Sequence, residues 1–231
     1  MSVAVITGAS RGLGLAVAQE LDRRGWSLVL DARREADLDR AAAILTGGPH
    51  RVIAGDVTDE WHRVALAEAA HDLGGADALV NNASTLGASP LPAFADLDPE
   101  TYTAILAVNV VAPMSLVREL LPQLRAHAGR IVNISSDAAV EPYETWGGYG
   151  SSKAALDHAS RVLAAEEPAI RVHSLDPGDM RTEMHQDAFP GEDISDRPLP
   201  ATVVPAVLRL LVGDVPGGRH RAADLTEVSA A

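Results

Sequence analysis

Tyr149 and Lys153 stand four residues apart near the start of a helical stretch, so both side chains leave one face of that helix. A phenol ordinarily titrates near pH 10, too high to exchange protons readily at neutrality. A neighbouring ammonium favours the phenolate and lowers that value. Lys153 is also the only lysine in the chain; the remaining 18 of the 19 basic residues are arginines. A compact ammonium with three rotatable donors can act on a phenol and hold a ribose together, whereas a planar guanidinium presents a different fork. Thirteen residues before Tyr149, after the apolar run "RIVNIS", Ser136 offers a hydroxyl able to hold a carbonyl oxygen beside the phenol. Asn109 lies within a long helical stretch, a poor place for asparagine unless its amide holds something. Singly, these are a surface pair, a loop serine and a satisfied buried asparagine.

The elements that must position them alternate in period. Short apolar runs at 3–6, 27–30, 51–56, 76–83, 129–135 and 169–175 read as strands buried on both faces. Helical patterns separate them, with Leu13, Val17 and Leu21 on one face of the first and Thr58 as the expected N-cap of the third. A helical stretch at 99–126 is interrupted by Pro113 and Pro122, and further helices are expected at 149–167 and 200–214. This alternation predicts an α/β single domain over 1–231, a doubly wound parallel sheet with helices on both faces. The irregular segment 179–200 carries Met180, Met184 and Phe189, a candidate substrate lid or simple core packing in equal measure. The tail 216–231 is polar and poorly patterned.

Between the first strand and first helix lies "TGASRGLG", with Gly8, Gly12 and Gly14. Such a loop lets backbone approach a pyrophosphate whose charge rests on the helix N-terminus. Asp56-Val57 and Asn82-Ala83 close the third and fourth strands, where doubly wound sheets bind ligands. Each pair also has a plain reading as a turn.

The net charge of −13 argues against a general nucleic-acid binder or a partner of anionic membranes. With no cysteine, disulfides and thiolate metal sites are excluded. His62 and His71 lack zinc-site spacing and are expected as solvated helix positions, so no metal is expected. "MSVAVIT" is too short for a signal h-region and no apolar stretch approaches about 20 residues, so a cytoplasmic protein is expected.

Assembled, these motifs resemble the short-chain dehydrogenase/reductase family over residues 3–182: "TGASRGLG", Asp56-Val57, "NNAS", Asn109, Ser136, Tyr149 with Lys153, and "PGDMRT". The resemblance implies a Rossmann-type fold and an NAD(P)-dependent carbonyl reductase or alcohol dehydrogenase acting on a small molecule. It implies that Tyr149 is the general acid or base, Ser136 orients the carbonyl, Lys153 lowers the Tyr149 pKa and binds the nicotinamide ribose, and Asn109 anchors a relay water. Gly8, Ser10, Arg11, Gly12, Leu13 and Gly14 would cradle the phosphates. Asp56 and Val57 would line the adenine side, Asn82, Ala83, Pro177 and Gly178 would also contact the cofactor, and Thr182 with the backbone near Met180 would hold the carboxamide. A homodimer or homotetramer is implied as well, although "GGRHRAADLTEVSAA" matches the family's terminal strand poorly. An idle cofactor-binding regulator on the same fold is the alternative, and the full set of four catalytic positions speaks against it.

Cofactor choice rests on "LVLDARRE". An acid ending the second strand selects NAD, while an arginine there accommodates the 2′-phosphate of NADP. The family register puts Ala32 at the selecting position and Arg33 just after it. Asp31 falls one residue early, which turns a strand side chain to the opposite face. With Arg11 as a second cation, NADP(H) is expected over NAD(H), unless Arg33 and Arg34 are merely solvated.

Overall fold

A computed structural model of the chain describes residues 1–226; residues 227–231 of the polar tail lie outside the described residues. Seven parallel strands form one sheet, β1 (Val3–Ile6), β2 (Ser27–Ala32), β3 (His50–Ala54), β4 (Ala78–Asn81), β5 (Arg130–Ile134), β6 (Arg171–Asp176) and β7 (Gly218–Arg221), in spatial order 3-2-1-4-5-6-7. Between them run α1 (Gly12–Arg23), α2 (Glu35–Ala42), α3 (Glu60–Asp72), α4 (Pro99–Leu106), α5 (Ala112–Ala126), α6 (Gly147–Glu166), α7 (Glu183–Ala188) and α8 (Val204–Val212), with α9 (Ala222–Thr226) after β7. The side-chain period of two splits β1 between two cores. Ala4 and Ile6 join α1 and α8 through Leu13, Val17, Leu21 and Val207. Val3 and Val5 join α3 and α5 through Leu66, Leu116, Leu120 and Leu124. Burial on both faces is why β1, β2, β4, β5 and β6 read as apolar runs, whereas β3, expected to be buried, lies at the sheet edge and is only partly covered. The order reverses direction between β1 and β4, and a crevice opens at the carboxyl ends there.

Four local expectations are corrected. The N-cap of α3 is Asp59, whose carboxylate accepts from the amides of Trp61 and His62, while Thr58 instead donates to Asp56. Both residues are good caps, and the chain turn at Asp56 decides between them. The prolines do not interrupt the helix, which continues over Pro99–Ala126. Pro113 cannot donate to the carbonyl of Asn109, and the helix widens to a π turn at Ala107–Val111. At 28 residues, with a window of mean hydropathy 1.7, this helix is long and apolar enough to cross a membrane, contrary to the expectation of no such stretch; here α5 packs its apolar face on the sheet. Finally, the tail contains a strand: β7 pairs Gly218–Arg221 with His173–Asp176 of β6. Its polar sequence hid it, because an edge strand has one neighbour and none of its four residues is fully buried.

Candidate active site

The crevice, of about 1580 Å³, spans the carboxyl ends of the central strands. Single small-ligand pockets run to roughly 1,000 Å³, so this one has room for an extended ligand and a second molecule. At one end lies the glycine loop. Gly8 adopts φ +65°, and a Cβ there would sit 2.9 Å from the Asn82 amide nitrogen. A Cβ on Gly14 would come within 2.4 Å of the Gly8 carbonyl, so Gly14 lets α1 pack on the loop and does not itself line the crevice. Asn82 donates to the carbonyls of Thr7 and Gly8, and the Thr7 hydroxyl accepts from the amides of Asn82 and Ala83, locking β1 to β4. No side chain caps the N-terminus of α1 at Arg11. Its free amides therefore face the crevice, where an anion can take the place of a cap. Ser10, Arg11, Gly12, Leu13, Arg33, Asp56, Val57, Asn82, Ala83, Pro177, Gly178, Met180 and Thr182 all line the same crevice. A phosphate-bearing dinucleotide fits this cradle.

The charges at this end differ from the sequence expectation. Arg11 pairs with Glu183 across the crevice and Arg34 with Asp37. Arg33 makes no salt bridge among the described residues and stays exposed at the crevice edge. Asp31 does not turn away from the crevice: it lines it while buried, with Oδ1 2.6 Å from His62 Nε2 and Oδ2 accepting weakly from Gly8 N at 3.4 Å. Burial pushes the Asp31 carboxyl above its usual range, opposed by the His62 bond. His62 is thus buried and paired, not solvated.

At the other end stand Ser136, Tyr149 and Lys153. Ser136 follows β5 and caps a short 3₁₀ turn at Asp137–Ala139. Tyr149 and Lys153 rise from the first turns of α6, both buried. Lys153 Nζ lies 5.4 Å from the Tyr149 ring centroid and donates to the Ile134 carbonyl at 2.8 Å. The phenol is pushed above its ordinary value, not below it; exclusion of water dominates, while the Ser136 and Ser84 hydroxyls pull the other way. Burial pushes Lys153 down to about 8, with Asp157 opposing. Leu86, Trp146, Met184 and Ala188 pack around Tyr149, and the Phe189 ring meets Trp146 at a tilt, centroids 5.8 Å apart. Met184 and Phe189 thus roof the site, whereas Met180 packs against the core beneath α1 and α8. Tyr143 borders the crevice and donates to Asp137.

Asn109 is buried and does not line the crevice. Its amide donates to the Thr85 carbonyl and the Ser152 hydroxyl, and its oxygen accepts from Ser84 Oγ and Thr85 N. All four hydrogen-bonding positions of the side chain are taken, so its amide ties the loop after β4 to α6. A relay water would have to be held elsewhere than on this side chain.

One residue escaped the sequence reading. Arg219 of β7 donates to Asp157 at 2.9 Å, to the carbonyl of Ser136 at 3.0 Å and, more weakly, to Asp176 at 3.4 Å. It anchors the serine's backbone and balances two carboxylates near Lys153. The only signal was an arginine inside the tail. Breaking a buried pair costs roughly 3–5 kcal/mol. With the guanidinium 24% exposed, solvent screening brings the expected loss for Arg219→Ala to about 2 kcal/mol. Thermal and urea unfolding measure it, and Arg219→Lys should recover only part because its ammonium lacks the fork.

A short chain dehydrogenase family model matches residues 2–193. Sepiapterin reductase of Xenopus laevis is 38% identical over 197 residues, covering 79% of this chain and 74% of the relative. The oxidoreductase YciK of Escherichia coli matches with a TM-score of 0.88 and 30% identity over 96% of this chain and 94% of its own. A short chain dehydrogenase of Shigella flexneri, solved with NADP, matches with a TM-score of 0.87 and 28% identity, covering 96% and 97%. The chain belongs to the short-chain dehydrogenase/reductase family of oxidoreductases.

Proposed function

We propose that this protein is a nicotinamide-dependent carbonyl reductase, or alcohol dehydrogenase in the reverse direction, with Tyr149 as its acid or base. The observation that carries this reading is one crevice with the glycine cradle at one end and the Tyr149–Ser136–Lys153 cluster at the other. A bound nicotinamide supplies or accepts the hydride. The Ser136 hydroxyl holds the substrate oxygen against the phenol, and Tyr149 gives that oxygen its proton in reduction. A phenol held above its ordinary value stays protonated at neutrality, so it carries the proton that reduction consumes. Lys153, fixed by the Ile134 carbonyl beneath the ring, keeps a positive charge beside both phenol and ribose. Asn109 fixes the Ser84–Thr85 loop, and Thr182, which caps α7, closes the carboxamide side. The apolar roof of Leu86, Trp146, Met184 and Phe189 favours a ring-bearing or otherwise apolar carbonyl compound. A panel of ketones and alcohols read by reduced-cofactor absorbance tests this; no turnover across ring-bearing and aliphatic members would leave only a cofactor-binding role.

NADPH is the proposed cofactor. Burial would raise Asp56, but its bonds from Thr58 and the charges of Arg33 and His62 hold it below the usual carboxylate range. Arg33 is the exposed cation at that edge and the group placed to meet a 2′-phosphate. Arg33→Ala should weaken NADPH binding about 10-fold or more, the order of a lost charge-assisted contact, and NADH binding by much less. Fluorescence titration of both cofactors checks it. Equal losses would return Arg33 to solvent.

A further inference from the structure

We infer that His62 determines cofactor choice: by holding Asp31 it withdraws the strand-end carboxylate from the ribose subsite and leaves that subsite to Arg33. The inference rests on the crevice taking an adenine dinucleotide. Asp31, one residue before the end of β2, lines the crevice beside that strand end, where a free acid would bond a ribose hydroxyl and repel a 2′-phosphate. Yet the residue is 1% exposed, and both its oxygens are engaged, one by His62 Nε2 at 2.6 Å and the other by Gly8 N. At 2.6 Å the imidazole contact lies at the short end for a nitrogen–oxygen hydrogen bond.

The arrangement is built from three separate elements. Asp59 caps α3 and accepts from the His62 amide, which fixes the first turn that carries the ring. That turn points His62 inward while the neighbouring indole of Trp61 is 80% exposed, so the buried place goes to the residue able to donate to a carboxylate. Behind the ring, a Cβ on Gly55 would lie 2.2 Å from His62 Nδ1; the imidazole fits only because β3 is followed by a glycine. The second carboxylate of this subsite, Asp56, is likewise engaged, by the amide and hydroxyl of Thr58. With both acids occupied, Arg33 is the group left to face an incoming phosphate.

Removing the ring should free the Asp31 carboxylate to swing toward the ribose. Dissociation constants for NADPH and NADH, from quenching of protein fluorescence, are to be measured on the wild type, His62→Leu and Asp31→Asn, with circular dichroism confirming the fold of each. In His62→Leu the ratio of NADH to NADPH dissociation constants should fall at least tenfold, and adding Asp31→Asn to that variant should restore it. A ratio unchanged in folded His62→Leu, with both affinities falling together, overturns the proposal, since a merely structural role moves the two cofactors alike. Asp31→Asn alone preserves the imidazole contact and decides the matter if His62→Leu does not fold. Its ratio should stay within twofold of wild type, and a selective loss of NADH would show the carboxylate already on the ribose. The wild-type ratio judges the NADPH reading separately. Binding of neither cofactor would sink the dinucleotide reading and this inference with it.

Discussion

Tyr149→Phe should lower turnover roughly 10²–10⁴-fold, the usual worth of a positioned proton donor, while both cofactor dissociation constants stay within about twofold. The substitution removes one oxygen and leaves the ring. Trp146 meets that ring edge-to-face at 5.7 Å, and Leu86, Met184 and Ala138 pack around it, so the packing of α6 against the roof survives. Stability is pulled two ways, because the variant no longer buries a polar hydroxyl but leaves the Ser136 and Ser84 hydroxyls without that partner. Steady-state rates with the best substrate of the panel, set beside cofactor titration, decide it. Retention of more than a few per cent of activity would mean that another group, with Ser136 the nearest candidate, delivers the proton.

The second large effect concerns Lys153. Its ammonium is buried, reaches the Ile134 carbonyl at 2.8 Å and lies beneath the Tyr149 ring. A guanidinium is wider and planar, and its fork cannot reproduce the single-point contact that the ammonium makes with that carbonyl beside the ring. Lys153→Arg should therefore lose about 100-fold or more in turnover although the formal charge is kept, in line with a misplaced positioning group. The pH dependence separates charge from shape. Burial holds the native lysine at about 8, below its unfolded value near 10.4. Below pH 8 it is an ammonium in both states; between about 8 and 10.4 the folded chain has lost the proton that the unfolded chain keeps. Native wild-type activity should accordingly fall as pH rises through about 8. Folding stability should gain over the same window, because the cost of burying a charge is relieved. The residual activity of Lys153→Arg should show no fall there, since arginine remains protonated. A wild-type profile flat from pH 7 to 10 would remove the ammonium from the mechanism.

Much of this protein was legible before any coordinates. Apolar runs alternating with helical patterns led to the parallel sheet, because strands covered on both faces have no polar side to interrupt them. The glycine loop, Ser136, Tyr149 and Lys153 could be named because each answers a local demand: a turn, a strand end, a four-residue helical step. Their convergence on one crevice follows from the reversal between β1 and β4, itself a consequence of chain order in a doubly wound sheet.

What only the tertiary structure decided are the quantities set by neighbours distant in sequence. The phenol of Tyr149 sits above its ordinary value, although a lysine four residues on suggested the opposite, because exclusion of water by the surrounding walls outweighs the Ser136 and Ser84 hydroxyls that pull it down. Asp31 and His62 looked like a misregistered acid and a solvated histidine. They became a buried pair once α3 was laid over β2, a contact between residues 31 positions apart. Arg219 looked like tail, and its worth appears only when β7 sets it beside Asp157 and the Ser136 carbonyl, 62 and 83 positions away. Periodicity and spacing report which face of its own element a side chain takes. Desolvation and ion pairing depend on what the fold brings against that face, and no local pattern records it.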